Sequence, residues 1–221
     1  MKIHILGICG TFMGGLARIL LQEGHEVTGS DKAFYPPMSD QLIELGIQIF
    51  EGYKGDLPPA DLYVIGNALS RGNPWVEEIL SNHKNYTSGP EALGKILKQR
   101  KVIAVAGTHG KTTTSYMIKH ILSLNDLSVD YLIGGINNSG EFSASNQNAE
   151  IFVIEADEYD SAFFDKRSKF IHYYPDIFVI NNIEFDHADI FSSIDDIKRQ
   201  FHHAVRTIPN NGFIVYQKDD L

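Results

Sequence analysis

Lys101-Val102-Ile103-Ala104-Val105-Ala106-Gly107-Thr108-His109-Gly110-Lys111-Thr112-Thr113-Thr114 is the stretch that decides how this chain folds. It opens with an apolar, β-branched run suited to a strand buried in a parallel sheet. The run empties into glycines, a lysine and threonines before a helical pattern starts at Tyr116. Gly107 and Gly110 let the backbone curl close to an anion, so that successive N–H groups point inward toward the positive end of the next helix. Lys111 is then placed to reach the β and γ phosphates of ATP, and the Thr112 hydroxyl to ligate Mg²⁺. Val105 stands where the strict phosphate-loop pattern has its first glycine. Gly-Lys-Thr at a strand-to-helix junction still favours ATP over a plain connecting turn.

Upstream, Ile3 to Leu6 reads as a short strand, followed by Gly7-Ile8-Cys9-Gly10-Thr11-Phe12-Met13-Gly14-Gly15, a helix through Leu16 to Leu21, and a second strand from Glu26 that ends in Ser30-Asp31. This is the outline of a dinucleotide-binding unit, with Asp31 placed to meet a ribose or sugar hydroxyl. Cys9 replaces the second fingerprint glycine and Met13 does not complete the third. The turn therefore reads either as a holder of some diphosphate or as tight packing of helix on strand. Strand and helix alternate onward through Ile47 to Phe50, Leu62 to Ile65, Trp75 to Leu80 and Glu91 to Lys98, with Ser39 as a helix N-cap. Such alternation implies a doubly wound parallel sheet with ligands at the carboxyl ends of its strands, where Ser30, Asp31, Asn67 and Ser88-Gly89 all fall.

Downstream, Ile151 to Ile154 reads as a buried strand ending in Glu155-Ala156-Asp157-Glu158, the way an ATPase presents an acid to Mg²⁺. A third strand, Ile177 to Ile180, ends in Asn181-Asn182-Ile183-Glu184-Phe185-Asp186-His187. His187 is a candidate for a second Mg²⁺ or for a phosphate hydrogen bond. The basic stretch Lys95 to Lys101 reads as a domain junction or a solvated helix end, dividing the chain into 1–98 and 99–221.

The whole-chain numbers bound the reading. A formal net charge of −9 argues against non-specific nucleic-acid binding, which needs clustered Lys and Arg. A single cysteine, Cys9, excludes an internal disulfide and fits a reducing compartment. Nothing at the N-terminus reads as a signal peptide, and no apolar run is long enough to span a membrane, so the cytoplasm is the expected location.

Taken in order, Gly107 to Thr113, Glu155-Ala156-Asp157-Glu158 and Asn182 to His187 resemble the Mur ligase family of ATP-dependent amide-forming enzymes, and the turn at Gly7 resembles the uridine-nucleotide site of its muramate-binding members. The resemblance implies a Rossmann-like N-terminal domain and a P-loop NTPase-like central domain. It implies that Gly107, Thr108, His109, Gly110, Lys111, Thr112 and Thr113 bind ATP and that Lys111, Glu155 and His187 serve catalysis. One Mg²⁺ would be held by Thr112 and Glu155 and a second by His187. Gly7, Cys9, Gly10, Thr11, Phe12, Met13, Ser30, Asp31 and Asn67 would lie around the UDP-sugar. Tyr35 to Ser39, Gly66 to Ala68, Phe163 to Phe170 and Phe185 to Phe191 resemble members that join UDP-N-acetylmuramate to L-alanyl-γ-D-glutamyl-meso-diaminopimelate through an acyl phosphate, in peptidoglycan recycling. Members that add L-alanine are the alternative within the family. Some members carbamylate a lysine after the Asp-His pair; Lys198, His202 and His203 lie in that helix without one standing out. Family members carry a third domain that binds the amine and contributes to the nucleotide site, so the resemblance implies a central domain cut short at Leu221. From other classes, a nicotinamide-dependent oxidoreductase leaves Gly110-Lys111-Thr112 unexplained, and a nucleotide-binding module without catalysis remains open.

Overall fold

The computed structural model describes residues 1–134, 142–185, 191 and 193–218. It is α/β and divides into two compact units. The first holds Met1–Ala92 with two later segments that include 142–147 and Ser161–Lys166; the second holds the rest of the described chain. The units are therefore discontinuous in sequence, unlike the consecutive segments 1–98 and 99–221.

In the first unit, β1 (Lys2–Leu6), α1 (Thr11–Gln22), β2 (Glu26–Asp31), α2 (Met38–Glu44), β3 (Gln48–Glu51), β4 (Leu62–Ile65), α3 (Pro74–Ser81) and β5 (Tyr86–Ser88) build a parallel sheet in the order β3-β2-β1-β4-β5. The register sets His4 beside Tyr63 and Leu6 beside Ile65. Strand side chains alternate between faces, so these four share one face. There they meet Tyr53, Trp75, Val76 and Ile79. Each such fully buried large apolar side chain contributes about 1.5–3 kcal/mol. Asn73 starts α3 by accepting from the N–H groups of Trp75 and Val76, with Pro74 at the first helical position. Ser39 is not a cap: α2 starts one residue before it, with Pro37 in the N-cap position.

His4 is the buried polar member of this core. Its Nδ1 lies 2.8 Å from Thr28 Oγ1 and its Nε2 3.2 Å from Ser30 Oγ, while Phe50, Tyr63 and Trp75 surround the ring. Burial drives its pKa down to about 4. The unfolded chain, with an ordinary histidine, binds this proton below about pH 6.5 and the folded chain only near pH 4, so stability falls as pH drops through that window. The shift predicts a loss of about 3 kcal/mol between pH 7 and 4 from this residue. Urea unfolding followed through Trp75 at several pH values checks it, because His4→Gln should flatten the slope between pH 6.5 and 5. An unchanged slope would sink the assignment.

The second unit contains α4 (Gly89–Leu97) for most of its length, β6 (Lys101–Ala106), α5 (Lys111–Leu124), β7 (Val129–Leu132), β9 (Ile151–Glu155), β12 (Ile177–Ile180), α6 (Ile194–Val205) and β13 (Phe213–Tyr216). β8 (Ala144–Ser145) packs along α1, and β10 (Asp160–Ala162) with β11 (Asp165–Ser168) forms a hairpin. The strands run β13-β12-β6-β9-β7, and the pairs β13-β12, β12-β6, β6-β9 and β9-β7 are all parallel. On one face Ile103, Tyr131, Ile133 and Val153 cluster. Phe170, Phe178 and Phe201 pack together elsewhere in the unit, with Phe170 and Phe201 at 5.4 Å. α6 presents Ile197, Phe201 and Ala204 to the interior, the i, i+4, i+7 pattern of an amphipathic helix.

Arg100, within the basic stretch, is not solvated. Its side chain is 8% exposed and its guanidinium lies 2.6 Å from the carboxylate of Asp130, itself 1% exposed. It also donates to Ala149 O and Asn148 Oδ1, while Ala149 N donates to Asp130.

Candidate nucleotide and sugar sites

The phosphate-loop stretch sits at the carboxyl end of β6, flanked by the ends of β9 and β12. Gly107 has φ +135° and Gly110 φ +77°, both outside what a side chain adopts comfortably. A Cβ on Gly107 would come within 2.9 Å of Asn182 O, and one on Gly110 within 2.8 Å of the Asn181 amide. Glycine is thus required twice over, by torsion and by the close approach of residues 181 and 182.

These two asparagines shape the loop. Thr108 N donates to Asn182 O at 3.1 Å and His109 N to Asn182 Oδ1 at 2.8 Å. Asn181 Nδ2 donates to His109 O and to Thr114 Oγ1. Glu184 N donates to the Thr108 hydroxyl at 2.9 Å. The expectation that successive loop N–H groups point inward therefore needs correction, because those of Thr108 and His109 are committed to Asn182. The open donors are those of the helix start. α5 begins at Lys111, five residues before the sequence pattern suggested, and its N-cap Gly110 offers no side-chain cap. The first turn of a helix leaves its N–H groups without intrahelical partners, and they carry the positive end of the dipole.

Around that helix start the ionisable side chains converge. Lys111 Nζ donates to Gly107 O at 2.7 Å, to Thr108 O at 3.4 Å and to Glu158 at 3.4 Å. The Thr112 hydroxyl lies 3.0 Å from both carboxylate oxygens of Glu155, whose Oε2 also accepts from Gly134 N at 2.7 Å. Lys169 pairs with Asp157 at 2.9 Å. Burial, and then the charges of Asp157 and Glu155, push the Tyr173 hydroxyl well above its ordinary pKa. Among the described residues no group of three or more His, Cys, Asp or Glu side chains stands together as a metal cage. Mg²⁺ does not need one, since it is usually held by one or two protein oxygens together with phosphate oxygens and waters. A threonine hydroxyl and a carboxylate already in contact fit that demand. His187 lies outside the described residues.

The first unit repeats the pattern. Gly7 N and Ile8 N donate to Ser30 O at 2.7 and 3.1 Å, and Cys9 N to Asp31 Oδ2 at 2.8 Å. The Asp31 carboxylate, expected at a sugar hydroxyl, also ties the turn, with Lys32 N on its other oxygen. α1 starts at Thr11 with Gly10 as N-cap and no side-chain cap, so Thr11, Phe12 and Met13 form an open helix start. Thr11 is exposed, Phe12 half-buried and Met13 buried. Gly66 and the exposed Asn67 follow β4 beside Gly7, and Gly89 after β5 packs on Phe12 and Met13. Cys9 is buried; burial raises its thiol pKa, a Tyr35 backbone hydrogen bond lowers it, and the Asp31 charge raises it further. Tyr53 was missed in the sequence. Its hydroxyl pKa is raised by burial and then by the charge of Asp31, and only an aromatic just after a strand hinted at it.

Comparison with known proteins divides the chain consecutively. The description "Mur ligase family, catalytic domain" matches residues 2–101 and "Mur ligase middle domain" residues 105–221. The UDP-N-acetylmuramate–L-alanyl-gamma-D-glutamyl-meso-2,6-diaminoheptandioate ligase of Escherichia coli (strain K12) is 53% identical, over 100% of this chain and 49% of its own length. The UDP-N-acetylmuramate–L-alanine ligase of Clostridium tetani is 37% identical, over 99% of this chain and 47% of its own. This chain spans about half the length of the curated relatives it matches. The crystal structure of the Neisseria meningitidis UDP-N-acetylmuramate:L-alanyl-gamma-D-glutamyl-meso-diaminopimelate ligase superimposes with a TM-score of 0.92 at 50% identity, covering 98% of this chain and 71% of that one.

Proposed function

This chain belongs to the Mur ligase family, and from that premise we propose that it forms the UDP-sugar-binding and ATP-binding parts of a ligase that joins UDP-N-acetylmuramate to L-alanyl-γ-D-glutamyl-meso-diaminopimelate in the cytoplasm, with ATP and Mg²⁺. Residues 1–98 hold the UDP-sugar and 99–221 the nucleotide. The observation that carries the reading is the uncapped start of α5, where Lys111 and the Thr112–Glu155 pair converge. ATP supplies the phosphoryl group that turns a poorly reactive carboxylate into an acyl phosphate open to attack by an amine. The N–H groups of Lys111, Thr112 and Thr113 bind phosphate oxygens, and the Lys111 ammonium offsets their charge, the main contribution a protein makes to phosphoryl transfer. Thr112 and Glu155 would hold one Mg²⁺ there, and His187 a second. At the other site the open start of α1 takes the diphosphate of the UDP-sugar, with Gly7, Cys9, Gly10, Ser30, Asp31 and Asn67 around it. The choice of tripeptide over L-alanine rests on the higher identity to tripeptide ligases.

Separate calorimetric titrations of UDP-N-acetylmuramate and MgATP into this chain test the reading. One binding event for each ligand is expected. No heat with the UDP-sugar, from a chain shown to be folded, would overturn the assignment of the first unit, and none with MgATP that of the second. Among the described residues no helix is long and apolar enough to cross a membrane.

A further inference from the structure

The Glu158 carboxylate has no task in the reading so far, yet its side chain is only 2% exposed and it faces the phosphate-loop lysine. An ammonium has three N–H bonds to give. Those of Lys111 go to Gly107 O, Thr108 O and Glu158 Oε2. The first two acceptors are carbonyls of the lysine's own loop. The third belongs to the segment after β9 and occupies the one N–H the loop leaves over. That segment is firmly held: Glu158 O accepts from Ser168 Oγ at 2.6 Å, Tyr159 O from Lys169 N at 3.0 Å, and Asp157 pairs with the Lys169 ammonium.

We propose that Glu158 is a positioning residue that stands in for a phosphate oxygen, holding Lys111 in the ligand-free protein and competing with the nucleotide for it. The inference rests on the reading of Gly107 to Thr113 as the nucleotide site. Its physical content is a sign. A phosphate oxygen that takes the third N–H must draw the lysine from a buried carboxylate and then sit close to that negative charge. Both effects oppose binding, and both favour release of the spent nucleotide, because Glu158 recaptures the lysine as the phosphates leave. Removing the charge while keeping the shape should therefore tighten binding, whereas damage to a site loosens it.

MgADP and MgATP are titrated into the parent chain, Glu158→Gln and Glu158→Asp, with thermal melting of each protein alongside. Glu158→Gln is expected to bind MgADP about tenfold more tightly, the scale of one close charge pair. Glu158→Asp, which keeps the charge but withdraws it by a methylene, should fall between the two. Equal or weaker binding by a folded Glu158→Gln overturns the proposal. Should that variant not fold, the aspartate variant decides alone: tighter binding than the parent supports the competition, and unchanged or weaker binding overturns it. Absence of nucleotide binding by the parent overturns the nucleotide-site reading and this proposal with it, a result distinct from failure of the variants.

Discussion

Replacing Lys111 by alanine is expected to lower MgATP affinity by roughly 30-fold or more, corresponding to the loss of about 2 to 5 kcal/mol when one partner of a buried charge-assisted contact is truncated. The helix start alone supplies only about half an elementary charge, whereas the lysine adds a full one that is partly shielded from solvent. UDP-N-acetylmuramate binding should stay within about twofold, since its proposed residues share no partner with Lys111. Calorimetry on the two ligands, with thermal melting to confirm folding, reads both numbers. Retained MgATP affinity in a folded variant would remove the phosphate-loop assignment, and with it the reason for expecting an ATP-dependent ligase.

What the sequence made legible was the placement of chemistry at strand ends. Ser30 and Asp31 close β2, Glu155 closes β9, and Asn181 follows β12, because parallel strands with apolar runs are readable from local pattern and their carboxyl ends collect the polar residues. The start of α5 was not legible. Thr112, Thr113 and Thr114 are β-branched and weak helix formers, so periodicity was visible only from Tyr116, while the left-handed Gly110 fixes the true start. Nor was the outward turn of the Thr108 and His109 N–H groups, since it depends on the Asn182 side chain and backbone seventy-odd residues away. The same holds for Asp31 at Cys9: the residue type suited a sugar hydroxyl, and only tertiary packing shows its carboxylate tying the turn. Arg100 is the sharpest case, because a basic run is ordinarily solvated and its partner comes from another strand.

That buried pair carries the largest expected effect on stability. Asp130→Ala leaves the Arg100 guanidinium inside without its carboxylate and frees Ala149 N of its acceptor, and breaking a buried ion pair from one side costs about 3 to 5 kcal/mol. Chemical denaturation should show the midpoint falling with little change in slope, the mark of a native state weakened without altered compactness. Because Asp130 lies in β7 and Arg100 directly precedes β6, while both bond Ala149 just before β9, the pair fastens three strands at the ends opposite the phosphate loop. The double variant Arg100→Met, Asp130→Leu should recover much of the loss, since it removes the unpaired charge rather than stranding it. If it recovers none, the hydrogen bonds to Ala149 and Asn148 matter more than the charges, and the pair acts as a backbone clamp for β9 that no apolar pair can replace.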